Sequence, residues 1–563
     1  MRPTSFFSLL VYAALALAAP AQAQAKGSGH AMVVAANPLA AAAGMKVLKA
    51  GGDAADAAVA IQAVLGLVEP QSSGLGGGAF MTYYDGKTHQ VSAYNGRETA
   101  PAGATPDMFE GADGKPLPFY TAVLSGRSTG APGAVALLAL AQKEHGRLAW
   151  RTLFGSAEAL ADKGFTVSPR LSGFVNGAAP EARAPDIVAY FTKPGGGELR
   201  TGDVLKNPAY GEMLRELAAR GPNALYGGQV ARDIAARVHG DPIPGTLTAA
   251  DLTAYRAKET QALCRPHRAF LVCVPPPPSS GEGLLQALEM LEHTDIASRG
   301  PDDPKAWLQF IQASGLMYAD RDRYVGDPDF VSVPLDGLLD PAYVATRAAL
   351  IGDVAGPPPI AGNPPGSAPR GPDATREPGG TSHFVVVDKD GNVVSMTTSV
   401  ESVFGAGRMS HGFVLNNQLT DFSFSPKDAS GAQAANAVAP LKRPRSSMSP
   451  VIVLDKQGRF YAALGSPGGP AILAFNLKVL VALLDWDLPP DKAVALPNIV
   501  PRGGQVGAEL DKMSPAMAAG LTRLGVILQP GQGEDSGFHV VTAKGGKLRG
   551  AADPRREGVV LSY

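Results

Sequence analysis

Apolar positions recur along the chain at spacings that predict both helices and strands. NPLAAAAGMKVLKAGG (37–52) has the repeat of an amphipathic helix that glycine ends, and DAADAAVAIQAVLGLVEP (53–70) predicts a second helix that proline ends. AFMTYYDGKTHQVSAYNGRETAP (79–101) is typical of paired strands, with Asp85-Gly86 as the turn. From about 132 to 350 the pattern is mostly helical and predicts a helical lobe.

Two proline-rich segments interrupt this pattern. VPPPPSSGEG (274–283) predicts a loop on the substrate side of the helical lobe. DVAGPPPIAGNPPGSAPRGPDATREPGG (353–380) lacks periodicity, so we expect an exposed, mobile linker there. This linker leads directly to the Gly380–Thr381 bond.

The segment after Thr381 predicts a hairpin. If Lys389-Asp390-Gly391 forms a three-residue loop, Asp388 pairs with Asn392 and Ser399 lies opposite Thr381. Because side chains alternate along a strand, Ser399 and Glu401 would share a face with Thr381. A two-residue loop would shift the register by one residue, and a surface hairpin with outward polar residues is the plainer alternative.

Thr381 follows Gly379-Gly380, an arrangement that suits self-cleavage. A threonine hydroxyl needs a base to act as a nucleophile, and cleavage of the preceding bond would create an α-amine with a pKa of about 7.7–8.0. Thr381 would then be nucleophile and base, although Gly-Gly-Thr alone is also compatible with a simple turn. His383 lies nearby without a companion aspartate motif, and we interpret it as structural.

Glycines and polar residues form further candidate sites. Gly468-Gly469 falls where a strand meets a long apolar helix, so its N–H groups are available to an oxyanion. The glycine-rich run 72–78 permits close backbone approach, but no Gly-Lys-Ser/Thr follows it, which argues against a phosphate loop. The segments GFVLNNQLTDFSF (412–424) and KRPRSSMSP (442–450) supply polar candidates, namely Gln418, Asp421, Ser446 and Ser447.

Composition restricts the class of protein. The 563 residues are 45% hydrophobic, enough for two to four domains or one large two-lobed domain. The net charge is −1 and only 18% of residues are charged, which argues against nucleic-acid partners and against a polybasic membrane anchor. Small-molecule substrates fit this composition better.

The first 23 residues are typical of a signal peptide. Arg2 precedes an apolar stretch (6–20) that ends at Ala21-Gln22-Ala23, so we expect an exported, periplasmic or extracellular protein, with an uncleaved anchor as the alternative. In an oxidising compartment Cys264 and Cys273 would form a disulfide that bridges adjacent strands or closes a small loop. Metal-site spacing is absent, and we expect no cofactor.

Long motifs in a fixed order then resemble a known family. GGTSHFVVVDKDGNVVSMTTSVESVFG, NNQLTDFS, KRPRSSMSP and GSPGGPAIL are similar to blocks of the γ-glutamyltransferase (glutathione hydrolase) family of N-terminal-nucleophile hydrolases. In the other half of the chain, AGGDAADAAVA, EPQSSGLGGGAFM, NGRETAPAGATPDMF and PPPPSSGEG also resemble family blocks. The resemblance covers nearly the whole chain after the signal peptide.

The resemblance implies an α/β (α+β) fold, a four-layer αββα sandwich built from two subunits of one cleaved precursor. The large subunit would be 24–380 and the small subunit 381–563, and Thr381 would attack γ-glutamyl amides and pass the acyl group to water or an amine. Arg97 matches the arginine that binds the substrate α-carboxylate. Ser446 and Ser447 match serines that bind the same carboxylate. Asp421, with Gln418, matches the α-ammonium site, and Gly468 and Gly469 match the oxyanion hole.

Several residues depart from the family pattern. Ser399 replaces a threonine of the family pattern. Glu401 replaces an asparagine and would add negative charge beside the ammonium site. The lid-like segment SPKDASGAQAANAVAP (425–440) is short and lacks tyrosine, which favours hydrolysis over transpeptidation. Arg445 is a further difference near the pocket.

Three functions fit these residues. The first is a γ-glutamyl hydrolase acting on glutathione and related compounds. The second is a glutaryl or cephalosporin acylase of the same fold, whose substrates lack the α-ammonium group and would have less use for Asp421. The third is an exported binding protein that never matures.

Overall fold

The computed structural model describes residues 30–240, 242–373, 375–531 and 536–563. Two large antiparallel sheets pack face to face, and helices cover the outer face of each sheet. Valine and alanine side chains such as Val34, Val385 and Ala463 fill the space between the sheets. These layers form the four-layer αββα sandwich that the resemblance implies, so the expected fold class is confirmed.

The first sheet carries the hairpin that begins at Thr381 near its centre. Its seven strands are all antiparallel to their neighbours, and both halves of the chain contribute to them. In spatial order they are Val559–Ser562, Met32–Ala35, Thr381–Val387, Val393–Ser399, Gly78–Tyr84, Val91–Gly96 and Lys258–Gln261.

The second sheet has six antiparallel strands and a small satellite sheet beside it. The six strands in spatial order are Lys547–Ala552, His539–Lys544, Phe460–Gly465, Val451–Asp455, Phe270–Val274 and Leu263–His267. The satellite sheet consists of Ile499–Arg502, Gln505–Ala508 and Leu528–Pro530.

Helices form the two outer layers. All 15 residues of Ala54–Val68 are buried, because its alanines let neighbouring backbones come close, and Asp53 and Asp56 form a capping box at its start. The longer helices against the first sheet are Pro38–Lys49, Ala54–Val68, Ala134–His145, Gly155–Lys163, Pro208–Arg220 and Gly228–Val238. Those against the second sheet are Gly281–Glu292, Pro304–Tyr324, Pro341–Ala348, Ile472–Leu484 and Pro515–Arg523.

The predicted helical lobe is interrupted by strands. Within 132–350, the segments Lys258–Gln261, Leu263–His267 and Phe270–Val274 join the edges of the two sheets. Cys264 lies directly opposite Cys273 on adjacent strands, and the two form a disulfide, so the bridge between strands is the alternative that the structure adopts.

The linker prediction is wrong at one end. Most residues of 353–370 are exposed, as expected, but Asp373, Thr375, Glu377 and Gly380 are buried. The buried end is held by ion pairs and by a backbone bond from Gly371 to Gln433, which no periodicity signals.

The predicted signal peptide lies outside the described residues. No helix in the described ranges is long and apolar enough to cross a membrane.

Candidate active site

The hairpin after Thr381 has the register that the sequence predicts. Asp388 and Asn392 bond through their backbones at 3.0 Å, and Gly391 has a φ of 84°, which glycine adopts readily. The Asp388 carboxylate accepts backbone bonds from Asp390 and Asn392 and closes the turn. The ladder continues without a bulge until Ser399 pairs with Thr381.

Ser399 joins the nucleophile to the bond that it would cleave. Thr381 Oγ1 donates to Ser399 Oγ at 3.1 Å, and Ser399 Oγ donates to the carbonyl oxygen of Gly380 at 3.0 Å. The backbone N–H of Glu401 donates to the same Ser399 oxygen at 2.9 Å and fixes its position. The threonine hydroxyl therefore lies beside the carbonyl that precedes it, and that carbonyl is already polarised by a donor.

Glycine at position 380 permits this close approach. A Cβ there would lie 2.2 Å from the Glu401 carbonyl oxygen and 2.6 Å from the Ser402 carbonyl, distances that real side chains do not show. The Gly380–Thr381 peptide is therefore pressed against the turn at 401–402. Glu401 has a φ of 82°, unusual for a residue with a side chain, which marks that turn as constrained.

Arg97 is buried and fully engaged by protein groups. Its Nη1 donates to Gln418 Oε1 and its Nη2 to Asp421 Oδ2, both as short contacts. Nη2 also donates to the carbonyl oxygen of Arg445 at 2.8 Å, and Nε to that of Pro444 at 3.1 Å. The structure thus brings Arg97 into one network with Gln418 and Asp421, the residues that the resemblance assigns to the neighbouring α-ammonium site.

Glu401 and Asp421 form a buried carboxyl pair. Burial, followed by the neighbouring Asp421, raises the pKa of Glu401 well above its ordinary value. Burial also raises the pKa of Asp421, while Arg97 opposes that rise. Burial therefore favours the protonated form of Glu401, which would add less negative charge beside the predicted ammonium site than the sequence suggested.

Ser446 and Ser447 occupy different surroundings. The backbone of Ser446 pairs with the proline-rich loop, donating to Pro278 O and accepting from Ser280 N at 2.8 Å each. The predicted substrate-side loop therefore does lie beside the site. Ser447 Oγ instead donates to Glu377 Oε2 at 2.5 Å and accepts from Arg321 Nη2 at 2.8 Å.

The partners of Ser447 belong to an ion cluster that the sequence reasoning missed. Arg321 binds both oxygens of Glu377, at 2.6 and 3.1 Å, and Arg502 lies 3.4 Å from one of them. Arg445, which the sequence indicated only as a departure from the family pattern, lies 3.0 Å from the Asp373 carboxylate. Burial raises the pKa of Glu377, but Arg321, Arg502 and Arg445 outweigh it and lower that pKa below its ordinary range. The only sequence signal was a glutamate four residues before Thr381.

The paired glycines lie against the segment that precedes the cleavage site. A Cβ on Gly469, whose φ is 54°, would lie 2.5 Å from Glu377 O and 2.8 Å from Pro378 O. Gly468 and Gly379 both line a cleft of about 780 Å³, which Arg502 and Lys512 also line. Gly468 and Gly469 precede the helix Ile472–Leu484, as expected.

His383 is a core residue. It is fully buried, its Nδ1 lies 2.9 Å from Thr397 Oγ1, and its ring stacks on His539 at 6.1 Å. This agrees with a structural role. Within the described ranges no cluster of His, Cys, Asp or Glu side chains has the arrangement of a metal site.

Comparison with known proteins places this geometry in a family. The model of the family described as gamma-glutamyltranspeptidase matches residues 40–563. The chain is 37% identical over 486 residues to the glutathione hydrolase proenzyme of Bacillus subtilis (strain 168), covering 83% of this chain and 80% of that protein. It is 35% identical over 534 residues to the glutathione hydrolase proenzyme of Escherichia coli (strain K12), covering 93% and 90%.

Solved structures agree with this assignment. Cephalosporin acylase from Bacillus halodurans matches with a TM-score of 0.84 at 26% identity, over 98% of this chain and 99% of that chain. With a threonine hydroxyl at the head of the central hairpin and a family match over nearly all of its length, the chain belongs to the gamma-glutamyltranspeptidase family of N-terminal-nucleophile hydrolases and is an enzyme of that kind.

Proposed function

We propose that this chain is the precursor of a γ-glutamyl hydrolase and transferase that activates itself by cleaving the Gly380–Thr381 bond. The observation that carries the proposal is the pair of hydrogen bonds that link Thr381 Oγ1 to Ser399 and Ser399 to the Gly380 carbonyl. The products would be a large subunit of 24–380 and a small subunit of 381–563.

Self-cleavage follows from this geometry as an acyl shift. Thr381 Oγ1 attacks the Gly380 carbonyl carbon, the bond from that carbon to the Thr381 nitrogen breaks, and an ester replaces the amide. Water then hydrolyses the ester, which leaves a carboxylate on Gly380 and a free α-amine on Thr381. Gly380 allows the attack because it places no side chain against the 401–402 turn.

In the cleaved enzyme the same hydroxyl would act on substrate. The α-amine of Thr381 takes the hydroxyl proton, Oγ1 attacks the γ-carbonyl of glutathione or a related γ-glutamyl compound, and the N–H groups of Gly468 and Gly469 stabilise the oxyanion. The amine leaves with a proton, and water or an acceptor amine then releases the γ-glutamyl group. Asp421 and Gln418 would bind the α-ammonium, and Arg97, Ser446 and Ser447 the α-carboxylate.

Hydrolysis is the expected main reaction. In the segment 425–440, most of the residues 425–433 are exposed and no tyrosine is present, so little shields the acyl-enzyme from water. We also propose export, from the signal-peptide pattern at 1–23.

A glutaryl or cephalosporin acylase is the second candidate. Asp421 already binds Arg97 and lies beside Glu401, whose protonated form burial favours, so its charge is balanced without a substrate ammonium. The similarity to a solved cephalosporin acylase points the same way.

Intact mass under denaturing, reducing conditions tests the proposal. We expect two species from the wild type, matching a cut at Gly380–Thr381, and one uncut species from Thr381→Ala. Ser382→Ala is the control, because Ser382 is the next residue, is also buried, and its hydroxyl donates to Glu69, away from the Gly380 carbonyl. An uncut wild-type chain would contradict the proposal and favour a binding protein that does not mature.

Turnover of two anilides then separates the two activities. γ-Glutamyl-4-nitroanilide carries the α-ammonium and glutaryl-4-nitroanilide lacks it. A higher kcat/KM for the γ-glutamyl compound supports the first candidate, and a higher value for the glutaryl compound supports the acylase.

A further inference from the structure

The carboxylate of Glu377 occupies a site made for an anion. Arg321 binds it through two nitrogens, Ser447 Oγ donates to it at 2.5 Å, and Arg502 and Arg445 lie 3.4 and 3.7 Å away. Only 4% of the Glu377 side chain is exposed. A two-pronged arginine with a hydroxyl donor is the chemistry that recognises a carboxylate.

The charges of this site balance only while Glu377 is present. Three arginines, Arg321, Arg445 and Arg502, face three carboxylates, Asp322, Asp373 and Glu377. Removal of Glu377 would leave one buried positive charge without a counterion, and an uncompensated buried charge is strongly unfavourable. The empty site would therefore take another anion.

Self-cleavage is the event that can empty the site. The bond between Gly380 and Thr381 lies three residues beyond Glu377, so the cut frees that end of the segment. The same segment, through Glu377, Pro378 and Gly379, lines the cleft of about 780 Å³ that reaches Gly468. A substrate bound at Thr381 would have this cleft beside it.

We propose that Glu377 is a placeholder for a substrate carboxylate, which Arg321, Arg502 and Ser447 bind in the cleaved enzyme. The inference rests on the self-cleavage of the proposed function. The carboxylate comes either from the γ-glutamyl donor or from the amine that leaves. Arg502 is the most informative residue to change, because its contacts to Asp322, Thr375 and Glu377 are all 3.3–3.4 Å and it lines the cleft.

A binding experiment on uncut chains tests the site without any turnover. Thr381→Ala retains Glu377 in place, whereas Thr381→Ala/Glu377→Ala leaves the site empty. At constant ionic strength, with sodium chloride as the reference salt, we expect glutarate to raise the Tm of the double variant but not that of Thr381→Ala. Adding Arg502→Gln to the double variant should abolish this rise. An equal response of the single and double variants would overturn the proposal.

Substrate comparison provides a second test on the cleaved enzyme and needs no Glu377 variant. Three anilides differ by one carboxylate each: 4-aminobutyryl-4-nitroanilide has none, γ-glutamyl-4-nitroanilide has the donor carboxylate, and γ-glutamyl-3-carboxy-4-nitroanilide adds one to the leaving amine. We expect Arg502→Gln to lower kcat/KM by about tenfold to a hundredfold for substrates with the recognised carboxylate. Lys512→Gln, which removes a charge from the same cleft, should have little effect.

The pattern of losses identifies the source of the carboxylate. A loss shared by both γ-glutamyl substrates but absent from the aminobutyryl compound assigns the donor carboxylate, and a loss confined to the 3-carboxy compound assigns the leaving amine. Equal losses on all three substrates would overturn the proposal. If the wild type stays uncut or turns over no anilide, the proposed function fails instead, and the glutarate experiment still decides whether the site binds an anion.

Discussion

At the scale of single residues, Ser399 lies between the proposed nucleophile and the bond that it would cleave. It accepts from Thr381 Oγ1 and donates to the carbonyl that Thr381 would attack, while the Glu401 N–H holds its oxygen in place. One hydroxyl therefore both orients the nucleophile and polarises the electrophile. Its removal leaves the threonine hydroxyl free to rotate away from the carbonyl.

We predict that Ser399→Ala slows self-cleavage by about tenfold or more, because at least one hydrogen bond that assists the attack is lost. The uncut fraction over time, followed by intact mass, measures this. Ser395→Ala is the control, since Ser395 is buried on the same strand but donates to Leu464 O, away from the cleavage site. Equal rates for Ser399→Ala and the wild type would contradict the role of Ser399.

At the scale of elements, the hairpin could be predicted from sequence and the linker could not. The hairpin follows local rules, because a left-handed Gly391 after Lys389-Asp390 fixes the loop length and so the register. The buried end of the linker depends on Glu377 meeting Arg321, 56 residues away in the chain. Proline and glycine content cannot indicate such a contact, and composition alone favoured exposure.

The disulfide is an element-scale feature with a measurable effect. It closes a loop of about ten residues between adjacent strands at the edge of the second sheet, so we predict that Cys264→Ser/Cys273→Ser lowers the free energy of unfolding by about 2–3 kcal/mol. Denaturant unfolding of the Thr381→Ala chain measures it. A reducing agent should lower the stability of the parent chain and leave that of the double-serine variant unchanged.

At the scale of the whole molecule, two neutral histidines lie between the sheets. Burial lowers the pKa of His383 well below its ordinary value and that of His539 to about 3. Both are therefore neutral in the folded protein, whereas the unfolded chain binds protons below about pH 6.5. Their contribution to stability is present above that pH and is lost as the pH falls toward the folded-state values.

We predict that His539→Gln makes stability less dependent on pH below 6.5, by roughly 1.4 kcal/mol per pH unit. The free energies of unfolding of the Thr381→Ala chain with and without His539→Gln, compared from pH 7 to 5, test this. His293→Gln, which removes an exposed histidine, is the control variant. Parallel pH profiles for His539→Gln and its parent would show that His539 does not contribute.

Long motifs made the architecture predictable, because they fix the order of segments and the family that uses it. Arg97, Gln418 and Asp421, which those motifs contain, lie in one network, while their roles toward a substrate stay predictions. The raised pKa of Glu401 did not follow from sequence, because it depends on burial beside Asp421 rather than on residue type. The charge of this pair is therefore set by the fold that buries it.

The edge of the first sheet has a consequence for engineering. Strand Met32–Ala35 pairs with Val559–Ser562 on one side and with Thr381–Val387 on the other, and the His30 N–H donates to the Tyr563 carbonyl at 2.8 Å. A short linker could therefore join residue 563 to residue 30. A circular permutant built in this way would place Thr381 directly after the initiator methionine and end at Gly380, so removal of that methionine would free the Thr381 amine without self-cleavage, and turnover could be studied apart from maturation.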